Sequence, residues 1–155
     1  MDAVSVRRFR NVRKKEDRNM FTSELKLITG LISDHNEKAN KELAEVLKDT
    51  EPFTDQFYIK ALPVATEAYK DLAEVANSIR QAFGMVAQFR PEKKVAFDLI
   101  NEAIHAHSKL LEKSDVKEGM TKGATYHLIV KHYSDLMFSI GDVADELEEK
   151  MKESV

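Results

Sequence analysis

The chain has 155 residues, 43% hydrophobic and 33% charged, which suits one domain with a buried core and not a disordered segment. It contains no cysteine, so disulfides, thiolate metal sites and a cysteine nucleophile are excluded. The net charge of −3 argues against nucleic-acid binding by charge alone. No run reaches the roughly 18 apolar residues of a membrane span. The opening "MDAVSVRRFRNVRKKEDR" has no apolar signal-peptide core, and a cytoplasmic protein is the expectation.

In chain order, residues 1–18 read as a basic N-terminal arm and 19–155 as a single helical-bundle domain. Arg7, Arg8, Arg10, Arg13, Lys14 and Lys15 crowd the arm. Such a run is ordinarily a solvated tail. Its functional reading is an electrostatic foot for an acidic partner or the surface of a membrane.

The first helix is expected from about Asn19 to Lys48, with the stripe Phe21, Leu25, Ile28, Ile32, His35, Ala39, Leu43, Val46. "DTEPFTD" ends it, and Thr54 is a fitting cap for the next helix. That second helix spans about Asp55 to Phe89, with a kink or restart near Pro63. Its stripe is Tyr58, Leu62, Ala65, Tyr69, Leu72, Ala76, Ile79, Phe83, Val86, and extra apolar residues widen it as contact with two neighbours would require. Pro91 opens a third helix with the stripe Phe97, Ile100, Ile104, His107, Leu111. The fourth, about Ala124 to Lys152, carries Tyr126, Ile129, Tyr133, Leu136, Ile140, Val143, Leu147, Met151. Nothing alternates as a strand does. The expected fold is all-α, an antiparallel four-helix bundle with long helices.

Three patterns could carry chemistry. Glu102-Ala-Ile-His105 has di-iron spacing, but it occurs once and points away from its helix's stripe, so no buried di-iron centre is expected. His35 and His107 lie on stripes, where a histidine is more often a hydrogen-bonded core residue than a metal ligand. Lys41–Val46 and Lys70–Val75 place Glu42, Glu45, Asp71 and Glu74 as acids one turn apart on two helices. They resemble the acids of MazG-type all-α pyrophosphohydrolases, which would hold Mg²⁺ on a nucleoside triphosphate. Acids three apart are also common on any solvated helix.

A fourth pattern is the acid–x–x–x–acid step Glu67–Asp71, followed by Leu72-Ala73. Phe138-Ser139-Ile140-Gly141-Asp142 takes the same place in the fourth helix. "SIGDVADELEE", "RKKEDRNMF" and "EPFTDQFYIKAL" resemble segments of PhoU-like phosphate-uptake regulators. This resemblance implies a metal, iron or another divalent ion, on surface carboxylates at Glu67, Asp71 and Asp142. Phe138 stands where the second motif would have its first acid and cannot be a ligand. An exposed aromatic on an acidic face suits a protein contact.

The expected function is therefore a non-enzymatic regulatory or adaptor bundle, homo-oligomeric or bound to a transporter or signalling protein. Phe138 would dock, with Arg7, Arg8 and Arg10 steering. The alternatives are the MazG-type pyrophosphohydrolase and a purely structural, self-associating bundle.

Overall fold

The computed structural model describes residues 20–113 and 119–153. Four helices account for nearly all of them: α1 Thr22–Val46, α2 Asp55–Phe89, α3 Lys94–Lys113 and α4 Lys122–Glu153. A 3₁₀ turn at Pro91–Lys93 leads into α3. There is no strand among the described residues. The basic residues Arg7, Arg8 and Arg10 lie outside them.

The bundle is antiparallel. Lys93, at the start of α3, reaches Glu24 at the start of α1, so these two helices begin at one end. Tyr58 of α2 meets His127 of α4 at the other end, where both of those helices begin. Short connections between consecutive helices require this up-and-down arrangement. α2 and α4 share the most extensive contact. Ile28, Leu72, Ile100, Leu136, Ile140 and Leu147 are fully enclosed, at least one from every helix.

Local chemistry explains the helix boundaries. The Thr54 hydroxyl accepts from the Phe57 amide at 3.3 Å and caps α2. α2 then runs through Pro63 without the expected restart. Pro63 and Ile59, whose carbonyl the proline leaves unbonded, both face outward, where water can serve that carbonyl. Val46 and Val86 close two expected stripes but are exposed, both in the last turn of their helices. Leu31, Ala61, Ala96, His132 and Ala144 are buried instead. Each lies one position beside a 3–4 stripe, on the flank that a second neighbouring helix covers.

A charged clasp holds one end. The Lys93 ammonium is 3.1 Å from Glu24, donates to the Met20 carbonyl, and sits over the Phe21 ring. Both charged side chains are almost wholly buried. Breaking a buried pair leaves one charge dry and unmatched. Lys93→Met should therefore cost about 3–5 kcal/mol and lower Tm by on the order of 10 °C. Adding Glu24→Leu should recover most of the loss, as measured by thermal and urea unfolding.

Candidate functional site

The centre of the bundle is polar. α1 supplies His35, α2 supplies Tyr69 and Asp71, α3 supplies His107, and α4 supplies His132 and Tyr133. Residues 69 and 71 lie about 200° apart on α2, and 132 and 133 about 100° apart on α4. Each pair thus serves two neighbours, and the layer splits into two halves.

On the α1 side, His35 Nε2–H donates to Asp71 Oδ2 at 2.8 Å. A carboxylate only accepts, so in the neutral ring Nδ1 is the lone pair, and the Tyr133 hydroxyl donates to it at 2.9 Å. Both nitrogens of this buried ring are matched. Burial, with Asp71 beyond, pushes the Tyr133 phenol above its ordinary range, so it stays protonated and keeps donating.

On the α3 side, the Tyr69 hydroxyl bonds His107 Nε2 at 2.9 Å. His107 Nδ1 is buried without a partner. His132 stands edge-on to His107, with ring centroids 6.2 Å apart. Burial holds the His107 pKa below its ordinary value; His132 lowers it further, and Asp135 opposes both. Burial also raises the pKa of Tyr69.

The α1 half opens into a cleft of about 240 Å³ between α1 and α2, lined by His35, Lys38, Ala39, Glu42, Glu67, Ala68 and Asp71. A smaller apolar groove shares Ala39 and Ala68 with it and is walled by Leu43, Val64, Val130 and Tyr133, among others. The expected residues are thus partly brought together. Glu67 and Asp71 share the cleft with Glu42, whereas Glu45 and Glu74 are exposed and do not line it. Asp142 is exposed outside it, next to Gly141, which faces Ile32 of α1. Among the described residues no three His, Asp or Glu groups are placed to hold one metal ion, so Glu67, Asp71 and Asp142 do not form a joint site. Asp71 is also already engaged by His35. Glu102 and His105 face solvent, as expected.

The stripe reading placed His35 and His107 correctly but missed His132 and the acceptor of His35. Tyr69, His107 and Tyr133 recur at one height in an up-and-down bundle, which was the available signal. Compared with known protein families, functionally curated proteins and solved structures, the chain matches none.

If Tyr133 anchors His35, then Tyr133→Phe leaves a buried acceptor bare at a cost of about 1–3 kcal/mol. Asp71→Asn should cost less in the Tyr133→Phe background than alone. A double-mutant cycle by urea unfolding measures that coupling.

Proposed function

We propose that the chain is a non-enzymatic adaptor bundle, of the kind its PhoU-like segments suggest, which works by helix-face contact and self-associates. The observation that carries this reading is a pair of exposed apolar anchors set in opposite charge. Phe138, 74% exposed on α4, shares a face with Asp142, Asp145 and Glu149, which follow it at helical spacing. Phe89 and Met85, 83% and 64% exposed, mark the α2–α3 corner, where Lys94 lines the neighbouring groove and Arg90 adjoins it. Arg90 is already paired with Glu92 at 3.0 Å, so the positive charge at this corner comes from Lys94. An acidic face with one aromatic and a corner with two apolar side chains beside that lysine are complementary, so the occupant assigned to each is a second copy of the chain. A role in phosphate transport rests on the sequence resemblance alone. Glu67 and Asp71 would hold at most a weak cation, because His35 already takes one Asp71 oxygen.

Sedimentation over a concentration series tests this. The wild type should associate more weakly as salt rises. Phe138→Asp and Phe89→Asp should each raise the dissociation constant about tenfold or more, with helicity and Tm unchanged, since both side chains are already exposed. A chain that stays monomeric at high concentration and low salt would count against the reading.

A second reading, the Mg²⁺-dependent pyrophosphohydrolase, keeps only Glu42 and Asp71 of its four acids in the cleft, with Glu45 and Glu74 outside it. That reading expects pyrophosphate release from nucleoside triphosphates with Mg²⁺ or Mn²⁺, abolished by Glu42→Gln. The adaptor expects no turnover with any nucleotide.

A further inference from the structure

Through residue 112, His107 is the last buried residue of α3: it is 4% exposed, and none of residues 108–112 is buried. α3 is also the shortest of the four helices, and its main contacts are with α2 and α4. His107 is therefore the most deeply buried contact near the end of α3, with Leu111 partly buried beyond it. That imidazole faces Tyr69 from α2 and, from α4, His132, itself 7% exposed, with Asp135 one turn beyond. The remaining titratable side of the layer, His35 with Asp71 and Tyr133, is closed on itself.

We propose that His107 and His132 form a proton-operated latch, which holds the last two turns of α3 to the bundle when neutral and releases them when His107 is charged. Charging makes both ring nitrogens donors. Nε2–H still has the Tyr69 oxygen, but Nδ1–H would be a cationic donor in a dry site with no acceptor. The neighbouring imidazole supplies no counter-charge, and Asp135 does not bond the ring. Water becomes the only adequate partner, and it reaches Nδ1 only if the end of α3 lifts. His35 is buried as well, but Asp71 and Tyr133 engage both of its ring nitrogens, so the α1 side has no bare ring nitrogen of this kind.

The sign follows from the depressed pKa of His107 in the closed state. The unfolded or lifted ring binds its proton first as pH falls. The latch therefore contributes fully above about pH 6.5 and is lost progressively below it.

Hydrogen exchange on the full chain, corrected for intrinsic rates, reads the latch directly. Between about pH 7.5 and pH 5.5, amide protection at residues 108–112 should fall about tenfold or more, while α1 and the first half of α2 change less than about twofold. His107→Gln, which is uncharged at both pH values, should abolish this difference. An acid response spread evenly over all four helices, a response that persists in His107→Gln, or no response in the wild type would each overturn the latch. If His107→Gln fails to fold, the imidazole resonance of His107 in the wild type decides. A titration midpoint below the ordinary value that coincides with the loss of protection supports the latch, and an ordinary midpoint without that loss refutes it.

Discussion

The structure depends on the requirement that a polar layer at mid-bundle be satisfied from four directions at once. His35 needs a carboxylate from α2 and a hydroxyl from α4, and both bonds are shorter than 3 Å. Apolar stripes tolerate sliding by a fraction of a turn, because one methyl group replaces another at little cost. A buried imidazole does not, since a shift of an ångström or two strands a donor or acceptor in a dry place. The enclosed Ile, Leu and Phe side chains supply most of the drive to assemble. The layer selects the height at which α1, α2 and α4 meet.

The two halves of the layer meet this requirement unequally. The α1 half is a closed chain of Asp71, His35 and Tyr133 with every ring nitrogen engaged. The α3 half leaves Nδ1 of His107 bare. Identical side chains thus differ in how completely their ring nitrogens are engaged, and the cause is the neighbour that α2 presents to each. α2 offers a carboxylate toward α1 and a phenol toward α3. Polarity is also uneven on the outside, with acids along α4 and Lys94 beside an Arg90–Glu92 pair at the α2–α3 corner.

The helices and their stripes were legible in the sequence because period-3.6 burial, the Thr54 cap and the "DTEPFTD" break are all local signals. Residues that gain cover from a second neighbour were not legible, since Leu31, Ala61, Ala144 and His132 stand beside a stripe and only packing decides their fate. The candidate site divides in the same way. His35 and His107 were visible as polar residues on apolar stripes, whereas the bond from His35 to Asp71 joins residues 36 apart and depends on how α1 and α2 are aligned in height. Glu67 and Asp71 were read as a surface pair and do line an open cleft. Asp142 is separated from them by the packing of α4, which no motif spacing encodes. Lys93 gave no sign at all: a lysine after Pro91-Glu92 resembles any solvated helix start until Glu24 and the Met20 carbonyl close over it.

That enclosed lysine has a mechanical consequence. It fastens the beginning of α1 to the beginning of α3, two helices far apart in sequence. A tug on the chain ahead of Met20 therefore does not simply peel α1 away turn by turn. The load crosses to the α2–α3 corner first, so anything that grips the basic leading stretch would be felt beside Met85 and Phe89 before it reaches the polar centre.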